Sequence, residues 1–276
     1  MRNPEPVRNP EPVRRSLPVR RLVLALRTVL ARRTVLAALA VAVPLVLAAC
    51  QGARPEVKGP DMPTNRPPAS SDAARPNRAP DAALLAAAGR GDAAGVRAAL
   101  ADGADVEARD GHRRTALLIA AAADHVAAAR ALVAAGANPD ALDDRHDTPF
   151  LVTGVTGSVA MLDVLRPAGP DTTIVNRYGG VAVIPAAERG HADDVEAVLA
   201  RTDIEVNHVN HLGWTALLEA VLLGDGDTAH QRVVRALLRH GANPNLADRD
   251  GVTPLQHAVH RGQREVAALL RAAGAR

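Results

Sequence analysis

Bulky aromatic side chains are almost absent from this 276-residue chain, which holds one Phe, one Tyr and one Trp. A core without aromatic bulk must be built from Ala, Leu and Val, which favours thin, closely stacked helices over a sandwich of twisted sheets. Lysine and cysteine are equally scarce, with Lys58 and Cys50 as the single examples. A lone cysteine excludes any disulfide within the chain. The composition therefore predicts an all-α protein of one or two domains.

Acidic charge is rare in the first part of the chain, and this asymmetry explains the overall basicity. Residues 1–33 carry nine Arg against two Glu, whereas residues 81–276 hold 19 Arg against 25 Asp and Glu, a net charge of −6. A pI of about 9.9 would normally suggest nucleic acid or an anionic membrane as a partner. Because the body of the chain is mildly acidic, we expect no binding to nucleic acid.

An uncharged run of sixteen residues, 34–49, follows the last arginine of the leader. It is too short to cross a bilayer core, which takes roughly 20 residues. A basic segment, an apolar stretch and small residues at its end are typical of a secretory signal peptide. We therefore interpret residues 1–49 as a signal peptide. The pair Arg32-Arg33 also resembles the twin-arginine export motif, so the export route stays open.

The end of that run, Leu47-Ala48-Ala49-Cys50, resembles the lipobox of bacterial lipoproteins. The resemblance implies that the sulfur of Cys50 receives a diacylglyceryl group and that cleavage makes Cys50 the new N-terminus. The structural alternative is a short buried helix that contains an unpaired thiol. The arginines upstream favour lipidation, which predicts an exported protein held on a membrane by its lipid.

Residues 50–80 differ in composition from the segments on either side, with seven prolines after Cys50 and few apolar residues. Such a stretch cannot bury enough apolar surface to fold, and its prolines stiffen it. We predict a disordered tether that separates the lipidated cysteine from a folded body.

A short turn recurs through residues 81–276, and its glycine or equivalent residue advances by 33, 33, 34, 38 and 33 positions. A second landmark, usually a threonine before an apolar run, keeps the same step. Two landmarks in one register indicate stacked repeats of about 33 residues. The turn positions are Gly103, Gly136, Gly169, Asp203, Gly241 and Gly274, and the second landmarks are Thr115, Thr148, Ala182, Thr215 and Thr253.

The last copy shows how one unit should fold. Thr253 is a good N-cap, and Pro254 follows at the first helical position, where its missing N–H costs nothing. Gly262 ends this helix, and a second helix follows with apolar residues on one face. Neither helix could bury its apolar face alone, so the copies must stack.

Three segments of the body resemble a known family. "TPLQHA" at 253–258 resembles the ankyrin signature T-P-L-H-x-A, "TALLEA" at 215–220 is a near relative, and "GANPNLADRDG" at 241–251 resembles the ankyrin finger hairpin. The resemblance implies an all-α ankyrin-repeat solenoid over 81–276, with about six helix pairs and connecting β-hairpin fingers. The expected copies are 81–111, 112–144, 145–178, 179–211, 212–249 and 250–276.

Three copies depart from the pattern. Copy 3 ends its second helix with Arg166-Pro167, and copy 4 has Pro185 where the family has its histidine. We expect these two copies to be the least regular. Copy 5 carries about five extra residues within 222–234, which we place between its two helices.

The body lacks the patterns of common catalytic sites. Ser158, its only serine, has no nucleophile motif, and the acidic loop at Asp225 lacks the glutamate that a calcium loop needs at its twelfth position. His208 and His211 could supply two metal ligands, whereas catalytic zinc needs three. A metal-assisted enzyme or metal-binding protein using these finger histidines stays as the alternative. The main hypothesis, a non-enzymatic protein-binding module, requires no cofactor and no metal.

The resemblance also implies where a partner would bind, because ankyrin stacks usually grip partners with the fingers and the first-helix face. Aromatic residues and arginine dominate most protein interfaces. We therefore expect a non-enzymatic, monomeric module that binds a separate protein. Trp214 has an alternative role, which is packing between neighbouring fingers. The candidate partner-binding residues are Arg113, His146, Tyr178, His211, Trp214 and Asp250.

Overall fold

A computed structural model of the chain describes residues 78–276. The leader, Cys50 and most of the predicted tether lie outside the described residues. Within 78–276 the chain forms twelve α-helices and one short 3-10 turn, Arg166–Ala168. The helices are α1 Ala79–Gly89, α2 Ala93–Ala101, α3 Ala116–Ala122, α4 Val126–Ala134, α5 Leu151–Thr156, α6 Val159–Leu165, α7 Val183–Glu188, α8 Ala192–Arg201, α9 Ala216–Leu222, α10 Thr228–Arg239, α11 Pro254–His260 and α12 Arg264–Ala272.

The helices form six antiparallel pairs that stack in two layers. Each first helix packs on the first helix of the next copy, from α1 through α11, and the second helices pack in the same way from α2 through α12. Each copy therefore contacts its neighbours along the chain, as a solenoid requires. The predicted count of six pairs is confirmed.

The first helix begins slightly earlier than the predicted body does. α1 starts at Ala79 and contains Pro80 in its first turn. Asp81 accepts hydrogen bonds from the backbone N–H of Arg78 at 3.3 Å and of Asp105 at 2.8 Å. Asp81 thus ties the start of α1 to the turn that leads into copy 2.

Threonine caps most of the later first helices, as the sequence predicts. The Oγ1 atoms of Thr115, Thr215 and Thr253 accept N–H groups three residues ahead at 3.2 to 3.3 Å. Gln256, which replaces the family histidine, returns a bond from the N–H of Thr253 to its own Oε1 at 2.9 Å. This reciprocal pair is a capping box, so the substitution strengthens the start of α11.

Copies 3 and 4 are the least regular, as expected. α5 and α7 each have six residues, and their N-cap positions, Phe150 and Ala182, provide no side-chain cap. The second helix of copy 3 ends in the 3-10 turn that contains Pro167. Gly154 of α5 faces the carbonyl oxygen of Ala182 so closely that a Cβ atom there would overlap it.

The extra residues of copy 5 lie partly in the loop between its helices, as predicted, and partly in the second helix. The loop 223–227 has two residues more than the loop 261–263 of copy 6. α10 is twelve residues long, three more than α12, and Asp227 caps its start by accepting the N–H of His230 at 2.9 Å. About three of the extra residues therefore add a first turn to α10. Because the two helices of a copy are antiparallel, this turn lies at the opposite end of the pair from the fingers.

Side chains at the start of four second helices reach back to the preceding copy. Each bonds a carbonyl oxygen at or just after the end of the preceding first helix, where such groups lack helical partners. We call these contacts the cross-repeat caps. Ser158 of copy 3 is too short for this role and instead caps α6 through the N–H of Met161. The caps are His125 Nε2 to Gly89 O at 3.2 Å, His191 Nε2 to Val155 O at 3.3 Å, His230 Nε2 to Glu188 O at 3.1 Å, and Gln263 Nε2 to Val221 O and Gly224 O at 3.0 Å.

The core along both helix layers consists mainly of Ala, Leu and Val, with Phe150 as its one buried aromatic in the described residues. One carboxyl side chain lies fully inside it. Asp194, the third residue of α8, has no exposed surface, and neither of its carboxyl oxygens has a hydrogen-bond partner. Burial raises the pKa of Asp194 to about 7. Among residues 78–276, no helix is long and apolar enough to cross a membrane.

Candidate interaction surface

The fingers are five tight turns that share one local design. Each begins with an Asp or Asn whose Oδ1 accepts the backbone N–H groups two and four residues ahead, at 2.7 to 3.0 Å. This side chain replaces backbone pairing, as in other Asx turns. The fingers are 110–114, 143–147, 176–180, 210–214 and 248–252 in copies 2 to 6.

No β-strand occurs in residues 78–276, so the expected β-hairpin fingers are wrong in this respect. The nearest approach is one isolated bridge between Arg109 and Thr115. Each finger closes with only two backbone bonds of its own, for example Asn210 N to Trp214 O at 3.0 Å and Gly213 N to Asn210 O at 2.9 Å. Two backbone bonds are too few to form a β-ladder. The Asp or Asn side chain that begins each finger supplies the other hydrogen bonds that fix the turn.

The fourth residue of every finger has a positive φ angle. Gly179, Gly213 and Gly251 occupy it in copies 4 to 6, where glycine adopts this conformation freely. Arg113 and His146 occupy it in copies 2 and 3, both with φ of 60°. A long or ring-bearing side chain is disfavoured there, which makes these two predicted contact residues the strained members of the series.

Neighbouring fingers are bonded to each other. The N–H of His211 donates to the carbonyl oxygen of Tyr178 at 2.9 Å, and the imidazole ring of His211 covers Gly179. Arg249 of the next finger donates to the carbonyl oxygen of His211. The fingers of copies 4 to 6 therefore form one connected row.

Five of the six predicted contact residues are exposed on these fingers. Tyr178 is 50% exposed, and the guanidinium of Arg177 lies 4.6 Å from the centre of its ring and donates to its hydroxyl at 3.0 Å. Trp214 is half-buried, which fits partial packing between fingers. Sequence reasoning missed Val209 and Leu212, which are 52% and 42% exposed. Apolar residues inside otherwise polar turns were the signal that could have revealed them.

Two histidines beside the fingers are already hydrogen-bonded within the fold. His208 Nε2 lies 2.7 Å from the carbonyl oxygen of Gly179, and His257 Nε2 lies 2.7 Å from Asp248 Oδ2. Within residues 78–276, no three His, Cys, Asp or Glu side chains converge in a way that could hold a metal ion. The described structure thus offers no ligand set for the metal-based alternative.

A buried carboxyl group supports the copy-5 finger from below. Glu219 of α9 is 5% exposed, and its Oε1 accepts a hydrogen bond from the side-chain amide of Asn210 at 2.8 Å. Burial, together with the charge of Glu188, raises the pKa of Glu219 to about 8, and the bond from Asn210 opposes this only in part. Near neutral pH the carboxyl is therefore largely protonated.

The outer, second-helix side carries a shallow groove between α8, α10 and α12. Its floor is alanine and leucine, and its arginines are largely paired. Arg232 bonds Asp193, and Arg239 bonds Glu196 at 2.7 Å. Much of the charge in this groove is neutralised within the protein itself.

Comparisons with known proteins agree on the family. The sequence profile for three ankyrin repeats matches residues 183–276, and the single-repeat profile matches residues 112–144. The putative ankyrin repeat protein YahD of Escherichia coli K12 is 52% identical over 114 residues, which cover 41% of this chain and 57% of YahD. Human BCL-6 corepressor-like protein 1 is 37% identical over 103 residues, which are 37% of this chain and 6% of that protein. The chain thus spans 57% or less of the length of these two relatives.

Solved structures extend the agreement to 70% of the chain. An ankyrin repeat domain from Acinetobacter baumannii AYE has a TM-score of 0.67 and 47% identity, covering 70% of this chain and 98% of that domain. The ankyrin repeat domain of Bcl-3 has a TM-score of 0.63 and 26% identity, covering 70% and 86%. Ankyrin repeats are generally non-enzymatic modules for protein–protein interaction. The chain belongs to the ankyrin repeat family, and residues 78–276 are its helical solenoid.

Proposed function

We propose that this protein is an exported, lipid-anchored ankyrin module that binds a protein partner through its fingers and the adjoining first-helix face. The observation that carries the binding face is the placement of the predicted contact residues. Arg113, His146, Tyr178, His211 and Asp250 all lie exposed on successive fingers whose turns are fixed by internal hydrogen bonds. A preformed surface loses little conformational entropy when it binds.

Backbone strain at two of these positions supports the same face. Arg113 and His146 hold the left-handed conformation that glycine occupies in the other fingers. Such outliers are concentrated at functional sites, where the surrounding structure maintains them. We therefore infer that the strained fingers take part in recognition. The groove on the second-helix side has no comparable strained residue.

The binding face can be tested by crosslinking pull-down with the full-length, lipidated protein. We expect Trp214→Ala and Tyr178→Ala to remove at least one captured protein, because truncation of a central aromatic at an interface typically costs about 2 kcal/mol or more. Arg130→Ala is the control, since Arg130 is exposed on α4, a second helix that lies outside both the fingers and the first-helix face. An unchanged set of captured proteins in both aromatic variants would contradict the proposed face.

Anchoring is a separate proposal with its own test. Two or three acyl chains, at about 0.8 kcal/mol per buried CH₂, would hold the protein on a membrane essentially permanently. We therefore expect Cys50→Ala to move the protein from the membrane fraction to the soluble fraction of fractionated cells. The Trp214→Ala variant is the control and should stay on the membrane. Continued membrane association of the Cys50 variant would count against lipidation.

A further inference from the structure

Three apolar side chains stand exposed together in the fingers of copies 4 and 5. Tyr178, Val209 and Leu212 are 50%, 52% and 42% exposed, and we call them the apolar patch. Only six large hydrophobic side chains in residues 78–276 are 37% or more exposed, and a fourth of them, Leu142, lies beside the copy-3 finger. Scattered surface apolar residues are ordinary, whereas a cluster of them on adjacent turns marks a contact surface.

The patch is held rigidly by the backbone beneath it. Asn210 Oδ1 accepts the N–H groups of Leu212 and Trp214 at 2.9 and 3.0 Å, which fixes the turn between Val209 and Leu212. The bond from His211 N to Tyr178 O joins this finger to the preceding one. The relative positions of the patch residues are therefore set before any partner arrives.

Two arginines beside the patch form no ion pair within 4 Å in the described part of the chain, although the charge of Arg177 acts on the carboxyl of Asp147 in the preceding finger. Arg177 stacks on Tyr178 and bonds its hydroxyl, and Arg249 bonds the carbonyl oxygen of His211. Arginines elsewhere on the fingers are compensated, for example Arg114 by Asp110 at 2.6 Å and Arg145 by Asp147 at 3.3 Å. The apolar patch is thus bordered by two guanidinium groups that form no direct ion pair in the described residues, and the nearby Asp147 is already paired with Arg145.

We infer that the apolar patch and Arg177 together bind an acidic peptide segment of the partner. An apolar or aromatic side chain of that segment packs between Tyr178 and Leu212, and its carboxylate forms an ion pair with Arg177. This inference rests on the proposed function and adds the chemistry of the partner to it. Arginine is well suited to the task, because its planar guanidinium can pair with a carboxylate through two hydrogen bonds while it stacks on an aromatic ring.

The spacing of the fingers limits the form of the segment. Neighbouring helices of a stack lie about 8 to 10 Å apart, and the fingers follow the same spacing. An extended chain advances about 3.3 Å per residue. Side chains that reach adjacent fingers should therefore be about three residues apart. We expect an acidic residue followed or preceded at that interval by an apolar one.

Selection from random twelve-residue peptides displayed on phage, with the full-length protein as bait, tests this inference. We expect the enriched peptides to carry an Asp or Glu about three residues from a Phe, Tyr, Trp, Leu or Ile. Binding of a fluorescein-labelled selected peptide should weaken about tenfold or more in Arg177→Gln and in Leu212→Ser, the loss expected for a charge-assisted bond or a buried anchor.

Two variants of the same chemistry serve as controls. Arg130→Gln removes an exposed arginine of α4 that forms no ion pair within the described residues, and Val133→Ser changes a partly exposed valine of the same second helix. Both should bind the peptide as the parent does. Circular dichroism melts of all four variants check that a lost affinity does not come from unfolding.

Two outcomes would contradict the inference, and they differ in what they imply for the proposed binding face. Enriched peptides that need Leu212 but lack acidic residues, or that bind Arg177→Gln as well as the parent, would overturn the acidic partner and leave the proposed binding face intact. Enrichment only of peptides that bind equally to every finger variant would count against both the inference and the proposed function.

Discussion

Replacing Asp194 with valine is expected to stabilise the protein by about 2 to 4 kcal/mol at pH 8. The carboxyl group is fully buried without a hydrogen bond, and burial raises its pKa to about 7 from a usual value of 3.8. Between these two values the native state binds more protons than the unfolded state does. The parent protein should therefore lose stability as pH rises from about 4 to 7, and the gain from the substitution should shrink at lower pH.

Other copies show why valine is a suitable replacement. The third residue of the second helix is Ala128 in copy 2, Met161 in copy 3 and Val266 in copy 6, and each of these is buried. Because Met161 and Val266 are buried at this position, the stack accommodates an apolar residue of the size of valine or larger there. The prediction depends on the site being apolar, and the only cause of the pKa shift of Asp194 is burial.

Urea unfolding between pH 4.5 and 8.5 measures this effect. Asp193→Val is the control, because Asp193 is exposed in an ion pair with Arg232 and should change the stability by less than about 1 kcal/mol. Glu219, whose pKa is raised to about 8, adds a similar slope to parent and variant alike. Parallel stability curves for the parent and the Asp194 variant would show that folding does not raise the pKa of this carboxyl.

Replacing Gly154 with alanine should destabilise the protein by about 3 kcal/mol or more. The new methyl group would overlap the carbonyl oxygen of Ala182, which belongs to the backbone and cannot rotate away. Relief requires α5 and α7 to separate, and this opens the packed layer of first helices at the centre of the stack. Over-packing of this kind usually costs 1 to 3 kcal/mol, and a backbone contact is its severe form.

A second helical glycine provides the control for this substitution. Gly89 is the last residue of α1, and a Cβ atom there would lie 3.6 Å from the side chain of Ile119, an ordinary contact. Gly89→Ala should therefore be neutral or stabilising by up to about 1 kcal/mol, as helix propensity predicts. Thermal melts of Gly154→Ala and Gly89→Ala measure the difference in stability. Equal melting temperatures of the two variants would contradict the close approach of α5 and α7.

Much of the fold could be predicted because its signals are local and repeated. Thr253 and Pro254 specify a helix start by their own chemistry, and the regular return of such residues specifies the stack. The finger conformation was harder, because glycine and polar residues suit both a β-hairpin and an Asx turn. The choice depends on how Oδ1 of residues such as Asn210 competes for backbone N–H groups, which spacing alone does not reveal.

The candidate surface could be predicted only in part. Tyr178 and Asp250 lie exposed where the finger pattern places them, whereas Trp214 is half-buried. Burial of one side of a turn depends on contacts with the next copy, such as the ring of His211 over Gly179. Asp194 shows the same limit, because two adjacent aspartates in α8 look alike in the sequence while one faces solvent and the other the core.

The geometry of the cross-repeat caps decides how their hydrogen bonds respond when a histidine gains a proton. In each cap formed by His125, His191 or His230, the atom that meets the carbonyl oxygen is Nε2, which must carry a hydrogen to form the bond. A second proton would enter at Nδ1 and leave that bond in place. For His230, Nδ1 also lies 2.8 Å from Asp227 Oδ1, a contact that itself needs a hydrogen on Nδ1. These three hydrogen bonds between successive copies therefore hold in either charge state of the imidazole ring.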